Sequence, residues 1–98
     1  MTPAGRLQKH LREVVERTGG HYRKVRWEGR RGCPDCYVWW DGARHAWIEI
    51  KAEGDRISAL QEREHRRMAD CGLPLFIARS VEDIDRIVQG LTAPKACA

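Results

Sequence analysis

What this chain lacks narrows its class before any motif is read. No apolar run approaches the roughly 18 residues that a membrane span requires, and Arg6, Lys9 and Arg12 break up the N-terminal stretch before a signal-like apolar core can form. A cytoplasmic setting is therefore expected. Cysteine is scarce and badly spaced for a structural metal site. Cys33 and Cys36 form a C-x-x-C pair, but Cys71 and Cys97 lie 26 residues apart, so the second close pair of a zinc site is missing. A thioredoxin-type redox motif would open a helix, whereas the strand-like Tyr37-Val38-Trp39-Trp40 follows. The cysteines read as ordinary reduced thiols. Internal repeats and low-complexity segments are absent, and at 98 residues the chain has no room for two ordinary cores. A single domain over residues 1–92 with a frayed tail over 93–98 is expected. Folding would bury roughly 65% of the unfolded chain's surface, which permits a modest core without obligatory staples.

With 42% apolar and 33% charged residues the balance is that of a globular protein, and the net charge is +4. The distribution of charge says more than the sum. Residues 1–31 carry nine basic and three acidic side chains, whereas residues 32–55 carry two basic and five acidic. A basic frame suits a polyanion through counterion release, and clustered carboxylates suit a hard divalent cation. Together they point to metal-assisted chemistry on nucleic acid.

Thr2-Pro3 has the form of an N-cap and first helical position, and Leu7, Leu11, Val14 and Val15 then keep one helical face apolar until Thr18-Gly19-Gly20. A strand is expected over His21–Glu28, followed by the basic loop Glu28–Gly32. The runs from Asp35 to Trp40 and from Ala46 to Ala52 read as a hairpin turning at Asp41-Gly42. Alternation sets Trp47, Glu49 and Lys51 on one face and Ile48 and Ile50 on the other. Ser58 and Gln61 match a capping box that opens a helix running to Cys71, and Leu75–Arg79 reads as a short buried strand. Ser80 with Asp83 caps a last helix bearing Ile84, Ile87, Val88 and Leu91. The expected class is α/β, in the order α-β-β-β-α-β-α. A tight hairpin makes strands antiparallel and a helical crossover makes them parallel, so the sheet should be mixed and flanked by helices.

One constellation stands out. Pro34-Asp35 is followed, after thirteen residues, by Glu49-Ile50-Lys51. In a hairpin turning at Asp41, Asp35 approaches the strand end that holds Glu49 and Lys51. Two carboxylates crowded together cost free energy unless a cation lies between them, and oxygen ligands select Mg²⁺ or Mn²⁺. Such an ion polarises a scissile phosphate and acidifies bound water. Lys51 then orients or deprotonates that water, or stabilises transition-state charge, three roles that these residues leave open. Either half alone is common: E-x-K usually marks a solvated strand face and Pro-Asp a turn. Their joint occurrence at hairpin spacing beside a basic loop is what carries the reading.

Gly29-Arg-Arg-Gly-Cys-Pro-Asp35, then Ile48-Glu-Ile-Lys51, then Ile57-Ser-Ala-Leu-Gln61 resemble the PD-(D/E)XK nuclease superfamily and, within it, the small VRR-NUC domain. The resemblance covers nearly the whole chain. It implies a restriction-endonuclease-like core and a metal-dependent DNA endonuclease. Asp35, Glu49 and the Ile50 carbonyl would be the metal ligands, Lys51 the catalytic lysine and Gln61 a further residue of the site. Lys24 matches a basic position that touches DNA in such a reading. Stand-alone members are phage-type proteins acting on branched DNA such as four-way junctions, which implies a bacterial or phage-infected cell. One protomer holds one site, so cutting two strands calls for a homodimer.

Arg30 and Arg31 precede Asp35, and their guanidinium forks suit DNA phosphates. Arg63, Arg66 and Arg67 share a helix with Glu62 and Glu64, so intrahelical pairing is their default. Trp39 and Trp40 are candidates for base stacking or dimer contact, and because consecutive strand residues face opposite ways at least one belongs to the core or an interface. The four histidines show no ligand spacing. In the resembled family a first-helix glutamate often joins the metal site, and here that position holds Gln8, a poorer ligand. Gln8 is the best support for the alternative, a non-catalytic DNA-binding module that keeps the nuclease fold.

Overall fold

The computed structural model describes residues 1–94. Its elements follow the expected order: α1 (Pro3–Arg17), β1 (His21–Lys24), β2 (Cys36–Trp40), β3 (Arg44–Ile50), α2 (Ala59–Asp70), β4 (Leu75–Ala78) and α3 (Val81–Thr92). Local chemistry explains each helix start. Thr2 Oγ1 accepts from Gly5 N at 3.0 Å ahead of Pro3, Ser58 and Gln61 form a complete capping box, and Ser80 Oγ accepts from Asp83 N at 3.1 Å. The loose tail expected over 93–98 lies, from residue 95 onward, outside the described residues.

The sheet runs β1-β2-β3-β4, with β1–β2 and β2–β3 antiparallel and β3–β4 parallel. The parallel pair is the one joined through a helix, as crossover geometry requires. Leu11, Val14 and Val15 from α1 and Ile84 and Val88 from α3 pack on one sheet face against Cys36, Val38, Trp40, Ala46, Ile48 and Ile50. This is the core. Leu11, Val15, Val38, Ile48 and Ile84 are completely buried, so truncating any one to alanine is expected to cost about 2–5 kcal/mol, less for the valines. Gly20 lets β1 begin against the core, because a Cβ there would lie 2.5 Å from Trp40 Nε1.

Two strands depart from the sequence-based expectation. β1 ends at Lys24 rather than near Glu28. Val25 N still donates to Asp35 O at 2.7 Å, after which the chain leaves the sheet and Trp27 folds back so that its indole N–H donates to Pro34 O at 2.7 Å. β4 is an edge strand rather than a buried one, since Phe76 and Ile77 remain 37% and 41% exposed. Among the described residues its outer edge has no neighbouring strand, and α2 and α3 leave the middle of the strand uncovered.

Candidate active site

The β2–β3 register pairs Cys36 with Ile48 and Tyr37 with Trp47. One further step along the same register sets Asp35 opposite Glu49, on the face turned away from α1 and α3. The Pro34-Asp35 segment is held there by main-chain bonds: Asp35 O receives Val25 N and Pro34 O receives the Trp27 indole. Asp35 Oδ2 lies 2.7 Å from Lys24 Nζ. Lys24, expected at the DNA, thus sits on a candidate metal ligand.

Glu49 is only 7% exposed. Burial above all, and then the negative charge of Asp35, push its carboxyl up to about 6, against the opposing pull of Lys51 and Lys24. Lys51 lies one residue beyond β3, half-buried, with its backbone N–H donating to Ala78 O at 3.0 Å. That bond carries the E-x-K segment straight past the strand end. The donor set fits a hard divalent cation: a desolvated carboxylate faces a second carboxylate, and both are relieved by a positive charge between them. Among the described residues no group of three or more His, Cys, Asp or Glu is gathered closely enough to hold a metal by side chains alone. Two carboxylates with the Ile50 carbonyl would therefore leave several coordination positions to water and phosphate.

The loop before Asp35 and the start of α2 are built together. Gly32 has φ +84°, and a Cβ there would lie 2.9 Å from Leu60 O, so only glycine allows this close approach. Gln61 Oε1 accepts from Ser58 N at 3.0 Å, which engages the side chain in the helix cap. Arg30 Nη2 lies 3.4 Å from Glu64 Oε1, and Arg67 Nη1 reaches the same oxygen at 3.0 Å, the latter an intrahelical pair as expected. Arg31 is exposed. Gln8 on α1 is half-buried, and among the described residues no side-chain hydrogen bond ties it to Asp35 or Glu49.

The profile of the VRR-NUC domain family matches residues 3–82 of the chain. A protein of Acyrthosiphon pisum secondary endosymbiont phage 1, described as "Putative nuclease p44", is 33% identical over 82 residues, covering 84% of this chain and 87% of that one. A solved VRR-NUC domain superposes with a TM-score of 0.84 at 33% identity, over 91% of this chain and 97% of the other. The chain belongs to the VRR-NUC family.

Within this VRR-NUC domain the tertiary structure separates the two adjacent tryptophans. Trp40 is a core residue, 7% exposed, with its indole N–H donating to Thr18 Oγ1 at 3.1 Å. Trp39 lies on the opposite face, stacked on His21 with ring centres 5.2 Å apart and capped by the Arg23 guanidinium at 5.1 Å. From Trp39 the aromatic run continues through Tyr37 and Trp47 to Trp27, at ring separations of 5.7, 4.6 and 5.1 Å. Trp47, within this run, is one alternation from Glu49 on β3. Sequence reading missed the continuity of this run because Trp27 joins it only when the loop folds back.

It also missed His65. The imidazole is 8% exposed and its Nε2 lies 3.6 Å from Glu49 Oε1. One signal pointed to it: His65 is four residues after Gln61, and so on the same face of α2. Among the cysteines, Cys36 is buried and its thiol is pushed up to about 11, and burial raises Cys33 as well. Cys97 lies outside the described residues.

Proposed function

We propose that this VRR-NUC domain is a metal-dependent DNA endonuclease that hydrolyses phosphodiester bonds in branched DNA, such as a four-way junction. The observation that carries the reading is the buried Glu49 carboxylate facing Asp35 across the β2–β3 register, with Lys51 two residues on. Asp35, Glu49 and the Ile50 carbonyl would hold the cation. A bound Mg²⁺ or Mn²⁺ supplies Lewis acidity to the phosphate and lowers the pKa of a coordinated water. Lys51 presents its ammonium beside the carboxylates, where it orients the attacking water or offsets charge on the phosphate. Gln61, at the first turn of α2 where the Gly32 loop packs, is assigned to the same site.

The basic groups around the site suit the DNA backbone. Lys24, Arg30 and Arg31 flank Asp35, and the ion pairs that Lys24 and Arg30 make within the protein are exchangeable for phosphate contacts. The aromatic run from Trp39 to Trp27 supports selectivity for branches, because unpaired bases can stack there and paired ones cannot. Each protomer carries one such site, so cleavage of both strands is assigned to a homodimer. The setting that goes with this reading is the cytoplasm of a bacterial or phage-infected cell.

The test is cleavage of junction and flap DNA in Mg²⁺ or Mn²⁺ by the wild type and by Asp35→Ala and Lys51→Ala. Both variants should be inactive while retaining the fold. Activity that persists in both would sink the proposal. Gln8 favours a second reading, a DNA-binding module without catalysis, for which the wild type would bind junction DNA in a salt-dependent way and cleave nothing at any metal concentration.

A further inference from the structure

We propose that His65 is a positioning residue for Glu49, its Nε2–H holding Oε1 so that the other carboxylate oxygen is presented to the divalent cation. The inference rests on the metal-dependent reading of the site and adds a residue to it. His65 is more than nine-tenths buried, and its Nε2 is a fully enclosed side-chain atom with no hydrogen-bond partner among the described residues. A buried ring nitrogen without a partner costs free energy, and native structures rarely tolerate one without a reason. Glu49 Oε1 is 3.6 Å away, also buried. A closure of roughly half an ångström turns this approach into a hydrogen bond.

The imidazole is well placed to act as a fixed donor. It sits on the second turn of α2, whose start is pinned by the Ser58–Gln61 capping box and by the close approach of Gly32 to Leu60. Lys51 already supplies positive charge to the same pocket, and burial together with that charge favours the neutral ring. A neutral ring with its proton on Nε2 donates one hydrogen bond to Oε1. Glu49 then cannot rotate freely, and its ligand geometry is set before a metal arrives. Carboxylate ligands held by such outer hydrogen bonds bind metal roughly 10- to 100-fold better than those left loose.

The experiment measures Mn²⁺ binding to the DNA-free protein by electron paramagnetic resonance, alongside the thermal midpoint of the metal-free form. His65→Leu keeps the bulk and removes the donor, whereas His65→Gln puts an amide N–H close to the position of Nε2. His65→Leu should weaken Mn²⁺ binding by about tenfold or more, with cleavage recovered at saturating Mn²⁺, and His65→Gln should stay within about threefold of wild type. If His65→Leu does not fold, His65→Met provides the same comparison. A folded donorless variant that binds Mn²⁺ as tightly as wild type overturns the role of His65, as does equal weakening in His65→Gln. Wild-type protein that binds no Mn²⁺ overturns the metal-dependent reading instead, so the two failures are distinguishable.

Discussion

Lys24 Nζ sits 2.7 Å from Asp35 Oδ2, so the carboxylate with the best access to a metal is shared with a lysine from the neighbouring strand. The two side chains are 49% and 40% exposed, which limits the strength of the pair to about 0.2–1 kcal/mol. A cation binding at Asp35 competes with that ammonium. Lys24→Gln should therefore tighten Mn²⁺ binding to the DNA-free protein by up to about fivefold, while weakening binding to DNA. Calorimetric titration of both ligands checks this, and a variant with weaker Mn²⁺ binding would show that Lys24 supports the site instead of competing in it.

Glu49 gives the metal-free protein a definite pH dependence. Its carboxyl is raised from 4.5 to about 6 by burial, so the folded state holds an extra proton between those values. The stability tied to that proton is fully present below about 4.5 and is lost as pH rises through about 6. Glu49→Gln should remove this pH dependence and leave the metal-free protein more stable above pH 6, by on the order of 2 kcal/mol. Added Mn²⁺ should raise the thermal midpoint of the wild type at pH 7 and leave Glu49→Gln nearly unmoved. Denaturant titrations across this pH range, with and without metal, decide the matter.

The adjacent tryptophans should behave oppositely. Trp40 fills the core, so Trp40→Ala is expected to cost about 3–5 kcal/mol and to leave little folded protein. Trp39 lies on the open face, and Trp39→Ala should cost far less stability while weakening binding to branched DNA more than to duplex. Affinities for junction and linear DNA of equal length test the second half. Equal loss on both substrates would remove Trp39 from branch recognition.

The β2–β3 turn contains a correctable strain. Ala43 has φ 59°, the left-handed region that favours glycine. Ala43→Gly should stabilise the protein by up to about 1 kcal/mol, the relief of strain outweighing the added flexibility of the unfolded chain. The measurement is the denaturant midpoint at unchanged slope. Position 43 is at the far end of the hairpin from Glu49, so metal binding should not change.

The sequence by itself determined whatever depends on near neighbours. Thr2-Pro3, Ser58 with Gln61 and Ser80 with Asp83 start the three helices through bonds that span three residues. Two-residue alternation places Glu49 away from the core side chains Ile48 and Ile50, and the thirteen-residue interval to Asp35 matches a hairpin. Only the tertiary structure decided which distant groups meet there. The strand register puts Asp35 opposite Glu49, the return of the loop places Trp27 on Trp47, and the docking of α2 carries His65 to Glu49 and Glu64 to Arg30. The physical reason is that helical and strand periodicities are set by local backbone geometry. Contacts between separate elements follow from packing one face against another, and a lone histidine or arginine in the sequence carries no mark of the surface it will meet.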